Sequence, residues 1–256
     1  GDGGALRYTV PMLLLATLGC ANFNLFPLRH DIKLGQQVHE AIVEDGRSFG
    51  LVERDQNPEV YVELDRVFDR VLDSGNVSHV DTFPWQVWLL HDDATANAFA
   101  LPGGYVYVYT GLIRELESED ALAGIVGHEI AHAAARHSTE QLSRRYGVDA
   151  LLALATGGGS LAIDIAAGLT ELDFNRGQES ESDGASVRYL CNTVYAADGA
   201  AYFFDGIDGK RVPAFLSTHP DPGDRTDAIR DLADYEGCST RLTDKERWGT
   251  LLDALP

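Results

Sequence analysis

His128-Glu129-Ile130-Ala131-His132 limits what this chain can become more tightly than any other stretch. Two imidazoles four positions apart share a face only on a helix, and only there can both reach a single metal ion. Glu129 falls beside them, where a carboxylate can take a proton from a metal-activated water. The motif therefore demands a helix with chemistry on one side and packing on another. Ile125, Val126 and Ile130 supply the packed side, which fits two histidines on a solvated face less well. Ser118-Glu119-Asp120 opens the helix with a cap and two acids at the positive end of its dipole. The helical pattern then extends through the motif to about Arg145.

A catalytic zinc site needs a third protein ligand and an open position for water. Asn175-Arg176-Gly177-Gln178-Glu179-Ser180-Glu181-Ser182-Asp183 offers candidates. Glu179 and Asp183 share a helix face, so one could bind metal while the other accepts a hydrogen bond from a ligand histidine and fixes its tautomer. Spacing alone does not separate Glu179 from Glu181 as the ligand.

Around this centre the pattern is helical with a short β region. Helices are expected from Asp31 to about Arg47, from Asn57-Pro58 to Ser74-Gly75, and at roughly 160–170, 176–192 and 224–235. Trp85 to Leu90 and the segment from Ala98 to Thr110, turning at Pro102-Gly103-Gly104, read as strands. Tyr105, Tyr107 and Tyr109 alternate with valines and so share one sheet face, as packing residues. Strands and helices do not alternate regularly, so the fold class is α+β.

Forty acidic residues against twenty lysines and arginines give a formal net charge of −20. That balance argues against nucleic acid and against electrostatic attachment to an anionic membrane; the excess acid keeps the surface solvated. The apolar run Val10 to Leu18 is shorter than the roughly 20 residues a spanning helix needs and has the size of a signal-peptide core. It ends in Thr17-Leu18-Gly19-Cys20, similar to a lipobox. The expected organisation is a lipoprotein-type signal over 1–19, a tether over 20–30 and one domain over 31–256. Cys20 is then the lipidation site, and the location is periplasmic, anchored to the outer membrane. Cys191 and Cys238 remain as either a disulfide or two buried thiols.

Four ordered blocks resemble the periplasmic zinc metallopeptidases of the BepA and LoiP type, which are related to the HtpX proteases. The first is Asn97-Ala98-Phe99-Ala100-Leu101-Pro102-Gly103-Gly104 with the Tyr-Val repeat and Gly111-Leu112 after it. The second is Asp120 to His132, the third Arg176 to Asp183, and the fourth Ser217-Thr218-His219-Pro220 followed by Arg225. The resemblance implies a mostly helical, zincin-type (gluzincin) domain with a small sheet lining the cleft, and one zinc per chain. It makes His128, His132 and Glu179 the metal ligands, which decides against Glu181, and gives Asp183 the place beside a ligand histidine. It implies that Asn97 and Ala98 line the substrate cleft. His219 approaches the metal, either as an added resting ligand or as a donor to the transition state, and Arg225 braces its loop. Ser182 stands where the family usually has alanine. The remaining histidines receive no role, and His137, off the ligand face, is expected at the surface.

The activity so implied is hydrolysis of internal peptide bonds in misfolded or envelope proteins, with Glu129 as general base. The competing expectation is a chaperone-like binding lipoprotein that keeps the fold with little turnover; a hydrolase of non-protein amides or esters is a third. The partner is a polypeptide rather than nucleic acid, and the oligomeric state is left open.

Overall fold

A computed structural model of the chain describes residues 26–157, 161–168, 172–206, 213–220, 224–243 and 245–256. The expected signal and Cys20 lie outside the described residues. The strands β1 (Gln86–Leu90), β2 (Ala98–Ala100) and β3 (Tyr105–Tyr109) form one sheet in the order β1-β3-β2, with β1 parallel and β2 antiparallel to β3. Before them run α1 (Leu28–Glu44), α2 (Gly46–Phe49) and α3 (Pro58–Leu72). After them come α4 (Thr110–Glu115), α5 (Glu119–Ala134), α6 (His137–Tyr146), α7 (Val148–Ala155), α8 (Leu161–Gly168) and α9 (Arg176–Leu190). The chain closes with α10 (Gly199–Asp205), α11 (Phe215–Thr218), α12 (Arg225–Tyr235) and α13 (Glu246–Ala254). The fold is α+β and mostly helical, as its pattern implied.

Strand alternation divides the interior in two. Val87, Leu89, Val106 and Val108 point to one face and join the core built with α3, α5, α9 and α10. Phe99, Leu101, Tyr105 and Tyr107 point to the other, where α1, α7 and α8 cover them. The tyrosines are packing residues, as expected. Tyr107 reaches back with its hydroxyl 2.6 Å from His39 Nδ1 on α1.

Two boundaries differ from expectation. Helix α1 begins at Leu28 rather than at Asp31, which lies in its first turn, fully buried against Arg136 and Thr139. The helix carrying the motif was expected to reach Arg145 but stops at Ala134. Arg136 turns the chain with φ 63°, left-handed backbone that a non-glycine residue adopts only when its surroundings hold it. Here the holding groups are the Asp31 carboxylate and the Phe26 carbonyl, both bound by the Arg136 guanidinium. Cys191 and Cys238 form a disulfide with a Cα–Cα distance of 5.0 Å, tying the end of α9 to the end of α12. Among the described residues, no helix is long and apolar enough to cross a membrane.

Candidate metal centre

Helix α5 is buried along its whole length, which is why apolar and chemical residues alternate around it without an exposed face. Two glycines on it let neighbours approach closely. A Cβ on Gly124 would lie 2.1 Å from the backbone nitrogen of Ala200 on α10, and one on Gly127 would lie 2.7 Å from Ser186 Oγ on α9. That near contact of α9 with α5 presents Glu179 and Asp183 to His128. Helix α9 starts where it does because of a capping box: the Asn175 side chain accepts from Gly177 and Gln178, and Gln178 Oε1 accepts from Asn175 N–H.

The result is a cluster of His128, His132, Glu179 and His219, all buried, whose ligand atoms lie within 4.8 Å of one another. His128 Nε2 is 2.9 Å from His132 Nε2 and 3.2 Å from His219 Nδ1. Glu179 Oε1 is 3.0 Å from His219 Nδ1 and 3.3 Å from His132 Nε2. Imidazole nitrogens converging on one another at hydrogen-bond distance make a poor network, because a neutral ring has only one donor. They make a good cage for one metal ion. His219, whose part the sequence left between resting ligand and donor, stands inside this cage.

Charged neighbours hold the cluster. Arg225 donates through Nε and Nη2 to both oxygens of Asp183, at 2.8 and 2.6 Å. Its Nη1 lies 3.0 Å from Glu179 Oε2 and donates to the His219 carbonyl at 3.2 Å. Arg225 therefore braces the His219 segment and both carboxylates together. Asp183 Oδ1 lies 2.9 Å from His128 Nδ1, although the ring N–H is not aimed squarely at it. Burial works against the charge on Asp183 and Glu179, but the histidines beside them, with Arg225 at Asp183, keep both below the usual carboxylate range. Burial likewise opposes protonation of His128, yet those two carboxylates hold its pKa up at about 9, so a metal would displace a proton there. Burial pushes His132 far down, which keeps it in the neutral form that binds metal.

Glu129 differs from its neighbours. Neither carboxylate oxygen has a hydrogen-bond partner among the described residues, and His219 Nε2 lies 3.4 Å from Oε1. Burial raises its pKa above the ordinary value, against the pull of His219 and His128. A buried, unpartnered carboxylate is costly unless something bound beside it uses it.

Other expected residues lie around this centre. Asn97 is buried and turns its Oδ1 to its neighbour, accepting from Ala98 N–H at 2.9 Å. The outer edge of β2 is partly occupied: Ala100 O accepts from Ser138 Oγ, and Ala96 O accepts from Phe215 N–H. Glu181 is outside the donor cluster. His137 corrects the expectation of a surface residue: it is 1% exposed, because the break at Arg136 swings it back under α5. Phe174 and Phe215, unremarked in the sequence, pack on the ligand rings: Phe174 tilted against His132 and Phe215 stacked on His219, with ring centroids 4.0 and 4.2 Å apart. Phe215 stands one helical turn before His219, a spacing that could have marked it, whereas Phe174 arrives from the loop before α9 and no spacing rule reaches it.

A buried three-histidine, one-glutamate cluster on paired helices beside a small sheet defines the architecture of a zincin-like metallopeptidase. The sequence model of peptidase family M48 matches residues 58–233, and the chain belongs to that family. It is 26% identical over 232 residues to the mitochondrial metalloendopeptidase OMA1 of Schizosaccharomyces pombe, covering 85% of this chain and 65% of that protein. It is 32% identical to the putative beta-barrel assembly-enhancing protease of Vibrio cholerae, over 66% of this chain and 38% of that one. With the metalloprotease YcaL of Escherichia coli it shares 29% identity, over 57% and 61%. The chain thus spans less than two thirds of each of these relatives.

Proposed function

We propose that this chain is a zinc-dependent endopeptidase that hydrolyses internal bonds of polypeptides, with Glu129 as general base. The observation that carries the reading is the unpartnered Glu129 carboxylate, buried beside four convergent ligand atoms. Three imidazole nitrogens and one carboxylate oxygen suit zinc by donor type. Bound there by His128, His132 and Glu179, zinc would supply a Lewis acid that polarises a carbonyl and makes water nucleophilic at neutral pH.

The protein's own groups do the rest. Glu129 takes the proton of the attacking water and returns it to the leaving amine. Asp183 holds the His128 ring by its Nδ1, and Arg225 holds Asp183. His219, in the same cluster, would close the site at rest, and its ring, once moved aside, would be placed to donate to the oxyanion. Because Phe215 N–H is bonded to Ala96 O, the same displacement of α11 would free the β2 edge beside Asn97 and Ala98 for an extended substrate.

The name of the Vibrio cholerae relative points to envelope proteins as substrates, consistent with a periplasmic lipoprotein anchored through Cys20. Labelling with a fatty-acid analogue tests that anchor: label on the wild type and none on Cys20→Ala is the expected result, and equal label on both rules it out. For the chemistry, Glu129→Gln should retain one zinc per chain and lose casein cleavage by at least about 100-fold. Cleavage at the wild-type rate would remove Glu129 from the mechanism.

A further inference from the structure

We propose that His137 and Glu181 form a positioning relay for the ligand His132, the counterpart of Asp183 behind His128. The inference rests on the reading of the cluster as a zinc site. A metal-bound imidazole uses one ring nitrogen for the metal and needs an acceptor for the N–H on the other, which fixes ring angle and basicity. For His128 the group beside Nδ1 is the Asp183 carboxylate, 2.9 Å away. For His132 no carboxylate stands at Nδ1; the atom there is His137 Nδ1, 3.1 Å away, with the two rings inclined at 72°.

One arrangement of protons suits the contact between His132 and His137. A neutral imidazole has one donor and one acceptor nitrogen. With His132 Nε2 turned to the metal, His132 Nδ1 carries the proton and donates it to His137 Nδ1. The proton of His137 then sits on Nε2, a buried atom with no hydrogen bond among the described residues; the carboxylate within reach of it is Glu181, whose Oε2 lies 3.5 Å away. Ser182 Oγ lies 3.4 Å from the same His137 Nδ1 and flanks the relay. His137 is buried, whereas the Glu181 side chain is 59% exposed and lines a cavity of about 530 Å³ with Ala131, Ala135, Arg188 and Glu236. The relay thus runs from the closed metal cage to solvent on the side of α9 away from Arg225.

His137 is also held too firmly to be incidental packing. The residue before it is clamped to Asp31 and Phe26, Ser138 Oγ donates to Ala100 O at 2.7 Å, and Thr139 donates to Asp31 at 2.9 Å. Anchors at Arg136, Ser138 and Thr139, on both sides of His137, fix the segment whose ring meets His132. Glu181, which spacing could not separate from Glu179 as a ligand, acquires a different part: it ends this relay.

The test measures zinc affinity by chelator competition on the purified protein, together with thermal unfolding of the metal-free form. His137→Phe removes the acceptor and should weaken zinc by about 10- to 100-fold. His137→Gln, whose side-chain oxygen can accept the His132 N–H, should recover most of that loss, while the two metal-free variants unfold at similar temperatures. Glu181→Ala, at a solvent-facing position that folding tolerates, should give a smaller loss in the same direction. Wild-type affinity in both His137→Phe and Glu181→Ala, or a glutamine variant no better than phenylalanine, overturns the relay while leaving the zinc reading intact. A wild-type protein that holds no zinc overturns the reading beneath it.

Discussion

Arg225 shows how much of this site depends on one side chain. It is 3% exposed, lies over the Phe204 ring at 4.3 Å, and contacts Asp183, Glu179 and the His219 carbonyl. Removing one member of a buried ionic group leaves the others charged and unpaired, which costs about 3–5 kcal/mol where water cannot reach them. In the metal-free protein, Arg225→Met should therefore lower the unfolding free energy by about 3 kcal/mol, read as a fall in denaturant midpoint without a change in slope. Adding Asp183→Asn should restore part of it, because one stranded charge disappears. A loss below about 1 kcal/mol would mean that the carboxylates rehydrate through the cavity of about 370 Å³ lined by Asp183, Gly184 and Arg225.

Elements explain what could be read from sequence and what could not. The helix of the His128 motif, the helix of Glu179 and Asp183, and the Tyr-Val strand were legible because each rests on local chemistry: a cap, a period or a metal-ligand spacing. The break at Arg136 was not, because nothing between Ala135 and Ser138 disfavours a helix. It is imposed by Asp31, more than one hundred positions earlier, and with it went the placement of His137. Likewise a family resemblance implied Glu179, Asp183 and His219 at the site, and Phe215, one helical turn before His219, could have been read from that spacing, but Phe174 reaches His132 through tertiary structure alone. Gly124 and Gly127 could have been read only as flaws in a helix, since their use is visible only once α9 and α10 press against α5.

At the scale of the molecule, the formal charge of −20 makes stability against acid a contest between two effects. Neutralising surface carboxylates relieves self-repulsion and favours the folded state. Protonating carboxylates that are bound in the interior opposes it. Glu119 belongs to the second group: its Oε1 accepts from Tyr195 Oη–H and from Arg66, both at 2.6 Å, joining α5 to α3 and to the segment before α10. Burial raises the cost of its charge, yet Arg66 and Tyr195 outweigh that and hold its pKa below the ordinary value. A carboxylate depressed in the folded state adds stability above its unfolded pKa, near 4.5, and that contribution fades as pH falls through the folded pKa. Glu119→Gln should then cost about 2 kcal/mol at pH 7, with a gap to wild type that narrows steadily below pH 4.5. Urea titrations of both proteins across that range measure the gap directly. A gap unchanged from pH 7 down to pH 3 would assign the loss to geometry rather than charge, and would leave acid stability to the surface.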